Sequence, residues 1–311
     1  MRFDDMDLDS VWIDDEFVDW DDAQIHILSH GVHYGTGVFE GTRFYETPNG
    51  PAVFRLKAHL ERFFESARVF GLNIEYSLEE LITATKELID REGLSSGYVR
   101  PLAIFGYHSL GVDTTDSPTK TAIAVWPWGT YLGNKALDEG IDVGVSSWRK
   151  HASSQIPTTT KTTGLYANSH LAHREAKKNG YSAGILLNKE GNVAEGETAN
   201  VFLIRDDEIF TPGISEGILN GITRQSVITL ARDLGYTVHD QATISRGELY
   251  TADELFFTGS AAEVTPIRSV DDVKVGDHSE YSITKEIQSR YFDIVKRQTD
   301  EYDDWFEYVN E

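Results

Sequence analysis

Hydrophobic spacing along this chain switches back and forth between the helical and the strand period, and that alternation restricts the fold more than any other feature. Leu56, Leu60, Phe63, Phe64, Ala67 and Phe70 recur at i, i+3 and i+4 with Gly71 behind them, which predicts a helix. Leu81, Ile82, Thr85, Leu88 and Ile89 predict a second from about Leu78 to Glu92, stopped by Gly93. Around them lie strand-like runs: VWIDDEFVDW about a turn at Asp14–Glu16, then YVRPLAIFGY and TAIAVWPW. The stretch GTYLGNKALDEG reads as a connection, and alternation resumes after it. Strand DVGVSSW precedes a helix over about Leu165 to Lys178. Two hairpins follow, AGILLN with VAEG and ANVFLI with IFTP. A helix from Gly221 to Gly235, late strands in ELFFTGSAAEVTPIRSV, and a closing amphipathic helix SITKEIQSRYFDIVKRQ complete the pattern. The expectation is a mixed α/β (α+β) protein of two domains, residues 1–130 and 138–311, joined by a loop at 131–137.

Composition narrows what such a chain can do. Cys is absent, which removes disulfides, thiolate metal sites and Cys nucleophiles together. No apolar run approaches the roughly 20 residues of a bilayer span, and the start MRFDDMDLDSVW has neither the basic nor the apolar part of a signal peptide. A cytoplasmic enzyme is expected. The formal net charge of -23 repels nucleic acid and anionic membranes. Positions 4 to 22 alone hold nine Asp and one Glu, and TDEYDDWFEYVNE closes the chain. Acid spread this widely suits a concentrated-salt medium that screens self-repulsion; the plainer reading is a well-solvated surface.

Against that charge density, one stretch is quiet. From His151 to His173 the only formal charge is Lys161, set in IPTTTKTTGLYAN. A lysine in a poorly solvated setting loses part of its reason to stay protonated, and a neutral amine can condense with an aldehyde such as pyridoxal phosphate. A surface lysine on a Thr-rich loop is the alternative. Chemistry of that kind also needs a carboxylate for the cofactor's ring nitrogen. VAEGETAN offers Glu195 and Glu197, either of which also suits a solvated turn. Backbone N–H groups at a helix start would serve the phosphate. LNGITRQSV supplies Gly221 and Thr223, TGSAAE at 258–263 is a second small-residue turn, and Arg62 is a possible phosphate fork. His26, His30 and His33 have a spacing that could hold a metal on a helix, but Gly31, Gly35 and Gly37 interrupt it and no metal is expected. No G-x-S-x-G elbow occurs.

Taken in order, SHGVHYGTGVFEGTRFY, VFRLKAHLERF, GYVRPL, WPWGTYLG, SSWRK, IPTTTKTTGLYANS, AEGETANVF, LNGITR and FTGSAAEVTPIRSVD run through nearly the whole chain. Together they resemble the branched-chain-amino-acid transaminases of fold type IV, the class IV pyridoxal-phosphate enzymes. The resemblance implies a small N-terminal α/β domain, a larger C-terminal β-barrel-like domain with helices, and a site between them. It implies reversible transfer of the amino group of L-leucine, L-isoleucine and L-valine to 2-oxoglutarate, with pyridoxal 5'-phosphate as cofactor. It also implies a homodimer or higher homo-oligomer in which a neighbouring subunit's loop closes the pocket.

Residue by residue, the resemblance makes Lys161 the Schiff-base lysine and proton shuttle. Glu195, rather than Glu197, becomes the partner of the ring nitrogen, and Tyr166 that of the phenolic oxygen. Arg62, Gly221, Ile222, Thr223 and Ser260 would hold the phosphate, with Leu219 packed on the ring. Tyr34, Phe39, Gly41, Arg43, Trp128 and Tyr131 would line the substrate pocket. Tyr98, Ser260 and Ala261 would bind the α-carboxylate, and Arg100 the distal carboxylate of glutamate. There are departures: Ala194 stands for the usual Ser, Thr198 and Ala199 where Gly and Glu are frequent, Ser260 for Thr, and LNGITR for L-P-G-I-T-R. D-amino-acid transaminase and aminodeoxychorismate lyase share the fold, but VFEGTR and YVRPL favour the branched-chain type. A non-catalytic acidic module, for Ca²⁺ for instance, is the reading of another class, and no calcium-loop motif supports it.

Overall fold

The computed structural model describes residues 6–109, 111–129, 133–276 and 281–310. Its contacts divide into two compact units: 1–129 with 160–164 and 294–311, and 130–159 with 165–293.

In the first unit, strands β1 (Ser10–Ile13) and β2 (Glu16–Asp19) are joined by Asp14 and Asp15. Both turn residues have positive φ, 47° and 72°, the mirror-image turn that matches strand twist. After the short helix α1 (His30–Tyr34) come β3 (Gly37–Phe39), β4 (Thr42–Thr47) and β5 (Gly50–Phe54). Helices α2 (Leu56–Phe70) and α3 (Leu78–Arg91) follow where the spacing predicts them, then strands β6 (Gly97–Phe105) and β7 (Thr119–Trp126). Gly71 ends α2 at φ 71°, and the Ser77–Glu80 capping box opens α3. Leu56, Leu60, Phe63 and Ala67 on α2, with Leu81, Leu88 and Ile89 on α3, are buried with Val99, Ile123 and Val125 of the sheet. The sheet is antiparallel in the order closing strand–β5–β4–β6–β7–β1–β2, with β3 on β6. The closing strand, Phe306–Tyr308, lies inside the acidic tail and pairs with β5. Its aromatic residues do the packing, and charge counting hides them: Arg55 lies over Trp305, and Phe54 meets Phe306 at 5.5 Å.

The second unit is built on a nine-stranded sheet. Helix α4 (Asn134–Glu139) occupies part of the stretch expected to be a loop and leads into β8 (Ile141–Arg149). Helix α5 (Tyr166–Lys178) packs on β8 and β9 (Ala183–Leu187), and β9 forms a hairpin with β10 (Val193–Gly196). Strands β11 (Asn200–Arg205) and β12 (Glu208–Pro212) form the second hairpin. Helix α6 (Ile222–Asp233), β13 (Val238–Ala242), α7 (Arg246–Leu249), β14 (Glu254–Gly259), β15 (Glu263–Val270), β16 (Val273–Lys274) and α8 (Ser282–Val295) complete the unit. The order is β10–β9–β8–β15–β14–β11–β12–β13, parallel where β8 meets β9 and β15 and where β12 meets β13. β10 also packs against β11, so the sheet curls back upon itself as a half-barrel. Its core joins Val143, Ile185, Val201, Leu255, Phe257 and Ile267.

Candidate active site

In the first unit the quiet stretch around Lys161 is threaded against the Gly-rich segment 35–40. Phe39 N–H donates to Lys161 O at 3.0 Å, and Gly164 N–H donates to Gly35 O at 3.0 Å. The threonines supply the rest: Thr162 Oγ1 donates to Gly37 O at 2.8 Å and Thr163 Oγ1 to Gly35 O at 2.8 Å. Lys161 N–H donates to Ser66 Oγ of α2 at 3.1 Å, which sets the origin of its side chain. A Thr-rich loop therefore does here what a strand edge does elsewhere, with hydroxyls meeting neighbouring carbonyls.

The lysine amine lies 4.9 Å from the centre of the Phe39 ring. Although Lys161 keeps some exposure, burial pushes its amine down to about 8, and the cations Arg62 and Arg100 add to this; Glu40 and Tyr98 pull the other way. Glu40 itself has no solvent exposure. Burial works against its charge, yet Arg62 and His59 hold the carboxyl far below the usual range. Arg62 Nε donates to Oε1 at 2.6 Å and its NH2 to Oε2 at 2.9 Å, while His59 Nδ1 meets Oε2 at 2.7 Å. Burial pushes His59 down while Glu40 pulls it up. Arg62, expected at a phosphate, is thus oriented by Glu40.

Beside these groups stands a wall of rings. Tyr98, Trp126 and Trp128 lie with centroids 5.0–5.6 Å apart. The Arg100 guanidinium lies over Phe39 at 4.9 Å and over Tyr98 and Trp126 at 5.6 Å. Its Nε is buried and has no hydrogen-bond partner among the described residues, the condition of a donor built to meet an incoming acceptor. Gly41 cannot be larger: a Cβ there would come 2.1 Å from the Tyr98 hydroxyl. Arg43 donates to the carbonyls of Trp128 and Gly129 at 3.3 and 2.9 Å and so fixes the course of the chain beneath Trp128. Tyr34 is half exposed on α1, packed on His30 at 4.5 Å. Tyr131 lies outside the described residues. The three histidines each have a partner of their own: His26 accepts from Leu28 N–H, His30 Nδ1 meets Thr36 Oγ1, and His33 Nε2 meets Ile27 O.

In the second unit Glu195 is the penultimate residue of β10, buried to 5% exposure. Lys150 Nζ reaches its Oε1 at 2.5 Å. Oε2 accepts from Asn200 Nδ2 and from Leu219 N–H, each at 3.0 Å. Asn200 Nδ2 also donates to Leu219 O at 2.9 Å, so one amide ties the carboxylate to the loop before α6. A Cβ at Gly221 would strike Asn200 Oδ1 at 2.0 Å, which explains glycine at that helix entry. No side chain caps the start of α6, and its first turn holds no acid, so the N–H groups of Ile222 and Thr223 remain open to an anion. Arg224, one residue on, anchors the helix through Thr211 Oγ1 and the carbonyls of Pro212 and Asp240. Ser260 and Ala261 form the half-buried turn between β14 and β15, and Tyr166 opens α5.

Sequence reading missed Glu40, His59, Lys150 and Asn200. Two signals existed: His59 and Arg62 stand at i and i+3 on one predicted helix face, and Lys150 borders the quiet stretch. That Glu40 and Glu195 are the carboxylates those cations find is a matter of tertiary contact.

The donor set fits pyridoxal phosphate. The first unit offers a desolvated amine and an Arg100 Nε among rings with no hydrogen-bond partner among the described residues, and the second a buried carboxylate and a helix entry open to an anion. The model of the family described as amino-transferase class IV matches residues 37–270. The branched-chain-amino-acid aminotransferase of Salmonella typhimurium is 42% identical over 303 residues, covering 97% of this chain and 98% of its own. The crystal structure of the Escherichia coli branched-chain amino acid aminotransferase superposes with a TM-score of 0.94 at 41% identity, covering 98% of this chain and 100% of that one. The branched-chain amino acid aminotransferase of Thermobaculum terrenum, solved in its PLP form, gives 0.91 at 32% identity, covering 97% of this chain and 98% of that one. Matched over nearly its whole length in sequence and in fold, the chain belongs to the class IV aminotransferases.

Proposed function

We propose that this chain catalyses the reversible transamination of L-leucine, L-isoleucine and L-valine with 2-oxoglutarate, using pyridoxal 5'-phosphate. The observation that carries the reading is Lys161: a desolvated amine beside the Phe39 ring, brought down to about 8, in a class IV aminotransferase fold. When bound, the cofactor supplies an aldehyde and a protonated ring that draws negative charge from the substrate's α-carbon. Lys161 Nζ carries the cofactor, and takes and returns the substrate's α-proton, which an amine poised near 8 can do at physiological pH. Glu195 would hold the proton on the cofactor's ring nitrogen, and Lys150, Asn200 and Leu219 N–H fix the Glu195 carboxylate in place.

Tyr166 donates to the phenolic oxygen. Arg62, held by Glu40, would join the N–H groups at Gly221, Ile222 and Thr223 and the Ser260 hydroxyl in holding the phosphate, and Leu219 would pack on the ring. Phe39, Gly41 and Trp128, with Arg43 beneath, offer an apolar wall to a branched side chain, and we assign Tyr34 to the same pocket. Tyr98, Ser260 and Ala261 receive the α-carboxylate. Arg100, lying among rings with no partner for Nε among the described residues, would receive the distal carboxylate of glutamate, so that one pocket serves both half-reactions.

The acidic surface favours small substrates over nucleic acid, and no helix among the described residues is long and apolar enough to cross a membrane. A cytoplasmic homodimer or higher homo-oligomer completes the proposal. The test is isotopically labelled glutamate with 2-oxoisocaproate against D-alanine with 2-oxoglutarate. Faster turnover of the D-alanine pair would overturn the substrate assignment, and unchanged turnover in Lys161→Ala would overturn the role of the lysine.

A further inference from the structure

Two residues beyond Glu195 sits a second buried carboxylate that the proposed chemistry does not use. Glu197 is 7% exposed. Its N–H donates to Gly184 O at 3.0 Å, which carries the β9–β10 ladder one residue past Gly196 and Ile185. The return bond of that ladder does not come from a backbone carbonyl. It comes from the Glu197 carboxylate, which accepts the Gly184 N–H. A bare Gly184 leaves room for this: a Cβ there would crowd Glu197 Oε2 at 3.0 Å.

The other carboxylate oxygen meets His173 Nδ1 of α5 at 2.6 Å. By closing the ladder with a side chain, the backbone is released to turn at once, and Gly196 N–H donates to Ala199 O at 2.7 Å. The turn delivers Asn200, whose amide comes back to Glu195 at 3.0 Å. Glu195 and Asn200 therefore straddle the one turn that Glu197 anchors. Burial raises the Glu197 carboxyl, while His173, the Gly184 N–H and Lys177 on α5 hold it down.

We propose that Glu197 is a positioning residue for the transamination reaction: its carboxylate fastens the turn that carries Glu195 and Asn200 to β9 and, through His173, to the helix that begins with Tyr166. This rests on the reading of Glu195 as the partner of the cofactor's ring nitrogen. Glu197 acts through Glu195, by way of Gly184 and His173.

The experiment compares holoenzymes of wild type, Glu197→Ala, Glu197→Gln and Glu195→Gln. It records kcat and KM for leucine, the visible absorption of the bound cofactor, cofactor loss on dialysis, and Tm. Glu197→Ala is expected to lower kcat about tenfold or more with KM within about twofold, to release cofactor faster, and to shift the absorption in the same direction as Glu195→Gln. Glu197→Gln should recover most of the rate, because its amide oxygen can accept from Gly184 N–H and its amide nitrogen can meet His173. If Glu197→Ala does not fold, His173→Leu, which cuts only the tie to α5, should move kcat and absorption the same way. Wild-type kcat and absorption in Glu197→Ala (or, failing that, in His173→Leu), beside a disabled Glu195→Gln, would overturn the positioning role whatever the Tm. Wild-type rate and absorption in Glu195→Gln would instead overturn the assignment of Glu195.

Discussion

Replacing Lys150 by Met tests how the buried carboxylate of Glu195, proposed to face the cofactor's ring, is held in place. The Lys150 side chain is 11% exposed and that of Glu195 7%, and they meet at 2.5 Å. Removing one partner of a buried ion pair strands the other charge and costs about 3–5 kcal/mol. Oε2 keeps its two donors, Asn200 Nδ2 and Leu219 N–H, which places the loss at the lower end, about 3 kcal/mol. For a unit of this size, that lowers Tm by roughly 6–12 °C. Without Lys150 the Glu195 carboxylate loses the cation that fixes it, so on its proposed role at the cofactor kcat should fall about 10–100-fold. The assay is a thermal melt with steady-state kinetics on Lys150→Met, Lys150→Arg, and the double variant Lys150→Met/Glu195→Gln. Lys150→Arg should stay near wild type in both measurements. The double variant should regain most of the lost stability, since no charge is left stranded, and remain inactive. A wild-type Tm in Lys150→Met, or a double variant no more stable than Lys150→Met, would refute the buried-charge argument.

Three further outcomes are expected. Glu40→Gln leaves Arg62 without its buried counter-charge and should cost about 3 kcal/mol at neutral pH. Because the folded carboxyl of Glu40 sits below its ordinary 4.5, its stabilisation is whole above that pH and is lost as pH falls beneath it; urea melts should show wild type losing stability in acid more steeply than Glu40→Gln. Arg100→Ala should lower kcat/KM for the glutamate half-reaction about 100-fold and for the leucine half less than about tenfold, and equal losses in single-turnover kinetics would exclude dual recognition by this residue. With a net charge of -23, added NaCl should raise Tm from dilute buffer upward as the screening length falls to about 10 Å at 0.1 M; full stability in dilute buffer would exclude a salt requirement.

Much of the fold is legible in the sequence because hydrophobic period and glycine stops are local. The stripe Leu56–Leu60–Phe63–Ala67 and the stop at Gly71 became α2, and AGILLN with VAEG and ANVFLI with IFTP became hairpins. Where short-range signals were mixed, reading failed. The closing strand Phe306–Tyr308 hides among Asp and Glu, and α4 begins inside a stretch that looked like a linker. The aromatic residues of the tail matter only because β5 offers an edge for them.

Lys161 marks the boundary between the two kinds of knowledge. By itself the sequence determined that one charge stands alone in a quiet, Thr-rich stretch, followed by Tyr166, Glu195 and a glycine helix entry in the order of a known family. It could not say that the threonines would bond the carbonyls of Gly35 and Gly37, or that Glu40 would gather His59 and Arg62 close to the amine. Nor could it say that Lys150 would be spent on Glu195. Those are contacts between residues far apart in the chain. Tertiary structure decided them because a charge taken out of water is stable only where a distant partner of the right sign arrives at hydrogen-bonding distance.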